Sequence, residues 1–205
     1  MKKFVAILVS CLICMISAVN FVACDNNVYE NTQTEQNNTK QNDIDVYPQP
    51  TDEKFFTFKK YSTGSYQIMA KDKTSLPANL VLPKTYDGEP IIHISRSAFE
   101  NCSSLTSIII PDSITSIGEN AFYKCSSLTS IIIPDSVIAI GEFAFASCSN
   151  MNNATFNNPY GWEVVYSNMS SNLSSTDLSN CATAARYLTK KYEFCMWRKP
   201  RALFG

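Results

Sequence analysis

The apolar residues in the middle of this chain recur with a period of 23 positions. Leu105, Ile108, Ile110, Ile114, Ile117, Ala121, Phe122 and Cys125 are answered by Leu128, Ile131, Ile133, Val137, Ile140, Ala144, Phe145 and Cys148. The stretches Leu105–Ser127 and Leu128–Asn150 share 16 of 23 residues and abut without a linker. Short abutting repeats predict stacked units. One copy cannot bury its own apolar side, whereas a stack makes a continuous core. Within a copy, L-x-x-I-x-I alternates as a short strand with Ile108 and Ile110 turned inward. Pro111 ends that strand because it has no N–H for the ladder, and Asp112 and Ser113 are turn formers. Gly118 is expected to adopt a backbone angle closed to other residues. Residues 119–124, "ENAFYK", read as one helical turn at most, with Phe122 plugging the coil.

The same anchors extend outward in weaker form. "IIHISRSAFENCSS", 91–104, places Ala98, Phe99 and Cys102 at the Ala-Phe and Cys positions. Its strand is "NLVLP", 79–83, separated by the longer "KTYDGEP". Downstream, "MNNATFNNP" opens a degenerate unit in which Met151, Ala154 and Phe156 replace Leu, Ile and Ile. With the pattern "LTSIxIPDSVTSIGxxAFxxCSS" matched nearly throughout both full copies, the chain resembles the leucine-rich repeats of BspA-like bacterial surface proteins. The resemblance covers roughly 55–198 and implies an α/β solenoid, a short parallel β-coil with a cap at each end. "FFTFKKYSTGSYQIMA" alternates aromatics around a Ser-Thr-Gly-Ser turn and predicts a β-hairpin. Its Phe56, Phe58, Tyr66 and Ile68 are placed to cover the first coil. At the other end, "DLSNCATAARYLTKKYEFCMW" resembles a tail that follows such repeats in exported proteins. There Asn180 is set to cap a helix from Ala182 to Leu188, followed by a strand at "EFCMW". Cys181 replaces the proline usual in that tail.

The first 53 residues predict the compartment. Two lysines precede an apolar run, Phe4 to Ala23, and the chain turns polar after Cys24. This has the shape of an export signal, and "FVAC" resembles the lipobox of bacterial lipoproteins, with Phe21 departing from the usual leucine. Cys24 is then the lipid-attachment site. An uncleaved membrane span and ordinary secretion are the alternatives. The expected organisation is 1–23 signal, 24–53 disordered tether, 54–78 hairpin cap, 79–159 repeats and 160–205 C-terminal loop and helix cap.

Charge and composition narrow the chemistry. The net charge is −1 with 17% charged residues, which offers no basic stripe for nucleic acid. One histidine, His93, serves the whole chain. It is assigned to the turn position that Thr115 fills in the next unit. No hydrolase elbow, zincin or phosphate-loop motif is present. Cys102, Cys125 and Cys148 repeat in line, as a buried ladder does, whereas zinc needs ligands converging on a tetrahedron. Stacked Asp112/Asp135 and Glu119/Glu142 supply too few oxygens for calcium. No cofactor or metal is expected. Cys181 and Cys195 remain as a possible disulfide in an oxidising compartment.

Strand alternation leaves the third and fifth repeat positions facing outward. Val81, Ile109, Ile132 and Thr155 then line up, flanked by Ser107 and Ser130, as a candidate binding face; the strand propensity of isoleucine, which stiffens a strand wherever it points, is the alternative explanation. The expected function is a monomeric, non-enzymatic module. It binds an unidentified protein or glycan and is tethered to the outer face of the cytoplasmic membrane by its lipid. An enzyme or accessory with a site in 160–180, where Trp162 and Glu163 fall, and a purely structural spacer are the rivals.

Overall fold

A computed structural model describes residues 48–167 and 169–200. The export segment, Cys24, the tether up to Tyr47 and the last five residues lie outside that range.

The repeat folds as a coil with three sides, and each side is built differently. The first is a pair of two-stranded parallel sheets: β3 (Asn79–Val81) with β6 (Ser107–Ile109), and β8 (Ser130–Ile133) with β10 (Asn153–Phe156). The second is the main sheet. It begins with the antiparallel hairpin of β1 (Phe56–Lys60) and β2 (Tyr66–Ala70), and β2 passes in parallel to β5 (Glu89–Ile94). From there it continues through β7 (Ser116–Ile117) and β9 (Ala139–Ile140), with Ile94, Ile117 and Ile140 in register. Each full repeat therefore contributes two strands rather than the one expected. The insert in the first coil folds back as β4 (Thr85–Tyr86) against β5 around Asp87 and Gly88.

The third side carries no helix. Ser97, Asn101, Asn120, Lys124, Phe143 and Ser147 all have φ between 52° and 62°. These left-handed residues turn the amides along the solenoid axis. Phe99 and Phe122 donate N–H bonds of 2.7 Å to Ala121 and Ala144 of the following coil. These bonds between coils alternate with local turn bonds, such as Ala121 N–H to Gly118 O at 3.2 Å and Tyr123 N–H to Asn120 O at 3.1 Å, and together they offset the left-handed strain.

Gly118 also differs from expectation. Its φ is not positive; the glycine is required by close approach. A Cβ there would lie 2.6 Å from Arg96 N and 2.8 Å from Ile94 O, and at Gly141 it would lie 2.4 Å from Glu119 N. Real Cβ atoms do not approach backbone so closely.

The core runs along the axis. Phe99, Phe122 and Phe145 stack with centroids 5.3 and 5.1 Å apart, and Phe56 of the hairpin closes the row edge-on. Every anchor of both full repeats is buried. Phe56, Tyr66 and Ile68 are buried and Phe58 partly so, as a cap requires. Residues 51–53, expected in the tether, belong to the fold. Thr51 N–H donates to Val81 O, and Val81 N–H to Thr51 Oγ1, both at 2.9 Å.

The C-terminal cap uses strands as well as helices. β13 (Met196–Arg198) pairs antiparallel with β9 and ends the parallel series. β11 (Glu163–Tyr166) and β12 (Met169–Asn172) extend the sheet beyond it. Two short helices, α1 (Ser175–Ser179) and α2 (Cys181–Arg186), cover β10. Asn180 caps α2 as expected, its Oδ1 accepting from Thr183 N–H at 2.9 Å. A π-helical turn, Tyr187–Lys191, carries the chain on toward β13. No helix among the described residues is long and apolar enough to cross a membrane.

Candidate functional site

The expected face is partly covered, and the covering isolates its centre. Val81 stands opposite Ile109, and Ile132 opposite Thr155. Thr51 lies along Val81 at one end, and α2 lies over β10 at the other, with Cys181 Sγ 3.5 Å from Thr155 Oγ1. Both terminal residues are half-buried, whereas Ile109 and Ile132 remain 36% and 52% exposed. Ser107 is half-buried and donates to Asn79 Oδ1 at 2.6 Å, while Ser130 is exposed.

Between the two isoleucines lies a shallow groove of about 230 Å³. β6 and β8 flank it without forming a ladder, although Thr129 N–H still reaches Thr106 O at 3.3 Å. Lys84, Asp112, Pro134 and Asn157 complete its rim, and Lys84 Nζ pairs with Asp112 at 3.3 Å. The site therefore offers an apolar floor with a carboxylate, an ammonium and an amide around it. This composition suits polar-rimmed recognition of a macromolecular surface. Sequence reasoning missed the rim. Asp112 reads as a turn former and Pro134 as a strand terminator, while Lys84 and Asn157 fall outside the regular repeat.

The remaining candidates have structural roles. His93 stands one position from where it was expected, opposite Ser116 rather than Thr115. It lies within the main sheet, where Nδ1 and Ser116 Oγ share a 2.6 Å hydrogen bond and burial lowers the imidazole pKa. Trp162 is 1% exposed, packs on Phe156 and Trp197, and donates from Nε1 to Asn158 O. Glu163 is buried and pairs with Arg198. Both residues thus hold the cap together, and residues 160–180 form β11, β12 and α1.

Cys102, Cys125 and Cys148 are buried free thiols. Cys125 and Cys148 donate S–H bonds of 3.1 Å to Phe99 O and Phe122 O of the preceding coil. Burial pushes Cys102 up to about 11 and Cys148 to about 12, and raises Cys125 further. The Cys181–Cys195 disulfide is not formed: Cys195 is a free thiol. Cys181 opens α2 over β10, whereas Cys195 leads into β13 beside β9, so the two stand on different sides of the last coil. Three of the four stacked acids pair with cations: Asp112 with Lys84, Asp135 with Lys199 and Glu119 with Arg96. No cluster of three or more His, Cys, Asp or Glu suited to a metal occurs among the described residues.

Coils of 23 residues with strands on two sides and a phenylalanine row within define a short bacterial-type leucine-rich-repeat solenoid. The chain belongs to the family of the BspA type leucine rich repeat region (6 copies), which matches residues 79–190, more than half its length. The comparison with curated proteins returns no match. Among solved structures, a leucine rich cell surface protein from Faecalibacterium prausnitzii is 29% identical with a TM-score of 0.43. The match covers 53% of this chain and 30% of that one. A leucine-rich repeat protein from Eubacterium ventriosum is 28% identical with a TM-score of 0.36, over 43% of this chain and 25% of the other. One from Bacteroides capillosus is 17% identical with a TM-score of 0.39, over 53% and 98%. The chain thus spans less than a third of the first two relatives' length.

Proposed function

We propose that the chain is a non-enzymatic, membrane-tethered cell-surface binding module that holds an extracellular protein or glycan in the Ile109–Ile132 groove. The observation that carries this reading is the exposed isoleucine pair over a groove rimmed by Lys84, Asp112 and Asn157. Exposed apolar side chains grouped inside a polar rim, unlike singly scattered ones, mark interaction sites. Family membership supports a binding role. The structural roles of Trp162 and Glu163 weigh against the enzyme reading of 160–180.

The test is a crosslinking pull-down from host and envelope extracts, comparing the chain with its Ile109→Thr/Ile132→Thr variant. Saturable capture that the double variant loses while staying folded supports the reading. Equal capture by both moves the site elsewhere, and no saturable capture leaves the spacer. The tether is tested separately by labelling cells with palmitate. Label on the chain but not on Cys24→Ala supports the lipid anchor, and equal labelling of both refutes it.

A further inference from the structure

Among the described residues the main sheet ends in two edge strands, β1 and β12, and they are built differently. β1 carries Lys59 and Lys60, both exposed. Lysines on an edge strand deter pairing with a further strand. β12 has no such guard: between Glu163 and Asp177 the sequence contains no charged residue. All four residues of β12 are exposed, Met169 at 71%.

The register shows which backbone groups are available. Leu173 N–H donates to Trp162 O at 2.8 Å, and the pairs that follow are Asn172 with Glu163, Ser171 with Val164 and Ser170 with Val165. Because antiparallel ladders alternate, Met169, Ser171 and Leu173 turn their backbone groups toward β11. Ser170 and Asn172 turn theirs toward the open side.

We propose that β12 is a homotypic pairing edge, on which a second copy of this chain adds its own β12 antiparallel across a two-fold axis. One register uses both open residues of each copy, setting Ser170 opposite Asn172 of the second copy, and the reverse. It forms four backbone hydrogen bonds with Ser171 facing itself across the axis. The same register sets Met169 opposite Leu173 of the second copy, on one face, twice. Apolar side chains meet apolar ones, a small hydroxyl meets itself, and no like charges are opposed. This self-complementarity is what an isologous contact requires. Tyr166, which faces Met169, and Phe194, which packs edge-on to Tyr166, extend an exposed apolar flank beside the strand. The monomer expected from the sequence took no account of this edge. The contact lies on the main sheet and leaves the Ile109–Ile132 groove free.

The test uses the full chain in a density-matched detergent. Sedimentation equilibrium is expected to give twice the monomer mass for the wild type and the monomer mass for Ser170→Lys/Asn172→Lys, which opposes lysines across the axis. In the non-hydrogen-bonded pair across the axis, Cα atoms stand about 4.5 Å apart, within disulfide range. Ser171→Cys is therefore expected to give a covalent dimer with copper–phenanthroline as oxidant, whereas Thr57→Cys on β1 is not. A wild type of monomer mass overturns the proposal, as does equal crosslinking at positions 57 and 171. Concentration-dependent polymers that crosslink Ser171→Cys to Thr57→Cys overturn it in favour of head-to-tail growth.

Discussion

Replacing Gly118 with alanine separates two explanations of a glycine that recurs in both full repeats. If the residue were there for a left-handed angle, alanine would strain the backbone in place. With φ in the ordinary region, alanine would instead be expected to stabilise the chain by about 0.4–1 kcal/mol, by restricting the unfolded state. The geometry reverses that sign. The added Cβ would meet Arg96 N, Ser95 C and Ile94 O at 2.6, 2.7 and 2.8 Å, all backbone of the preceding coil. None of these atoms can swing aside, so the coils must separate, loosening the Gly118 N–H bond to Ile94 O at 2.8 Å. Overpacking of this kind costs about 1–3 kcal/mol. A rigid three-atom clash belongs at the upper end, so we expect a loss of about 2–3 kcal/mol and a drop in Tm of roughly 5–10 °C. The first coil supplies a natural contrast. Ser95 occupies the equivalent position, and there the neighbour is the hairpin: Ser95 N–H bonds Ile68 O at 3.0 Å and its hydroxyl donates to Gln67 Oε1 at 2.9 Å. Serine is therefore tolerated at 95 and should be as damaging as alanine at 118. Thermal and urea melts followed by circular dichroism measure both. A Gly118→Ala chain as stable as wild type, or more so, refutes close approach as the reason for the glycine.

Three further outcomes follow from the core. Phe122→Ala removes the middle ring of the stack and should cost about 3–5 kcal/mol in a urea melt; a loss under about 1 kcal/mol contradicts the continuous core. Cys102, Cys125 and Cys148 hold thiol pKa values raised above the usual 9 by burial, to about 11 for Cys102 and about 12 for Cys148. The unfolded chain loses these protons first, so their contribution is intact below pH 9 and declines as pH rises toward 11 and 12. Melts from pH 8 to 11 should show this decline flattened in a triple Cys→Ala variant, with labelling of the native thiols limited by unfolding. A pH-independent wild type contradicts it. Ser113 and Ser136 bury hydroxyls that find no hydrogen-bond partner among the described residues, at the same turn of successive coils. Alanine at either should be neutral or stabilising by up to about 1 kcal/mol, and destabilisation would mean those hydroxyls are partnered.

What could be read in the sequence divides by the range over which a residue acts. The repeat length, the anchors Leu105 to Cys125 and their counterparts were legible because core positions recur whatever the local conformation. Asn180 as a helix cap and the Ser-Thr-Gly-Ser hairpin turn were legible because each is a local event. Ser116–Ile117 was missed as a strand because two residues show no alternation. Left-handed Asn120 and Lys124 were read as helical because nothing but the coil above requires their angle. Gly118 was given the wrong reason because its constraint comes from a residue 22–24 positions away. Strand alternation turns Val81, Ile109, Ile132 and Thr155 away from the core, yet only Ile109 and Ile132 are exposed. Which part of that face stays open depended on Thr51 and α2, whose docking the period does not encode.

The most direct test of the binding claim is site-resolved photocrosslinking on living cells. A benzophenone amino acid is introduced at Ile132, in the groove, and separately at Ile138, which is 50% exposed but does not line it. We expect a discrete, light-dependent adduct from position 132 that disappears with Ile109→Thr, and none from position 138. An adduct from 138 without one from 132, or equal adducts from both, would contradict the groove as the binding site.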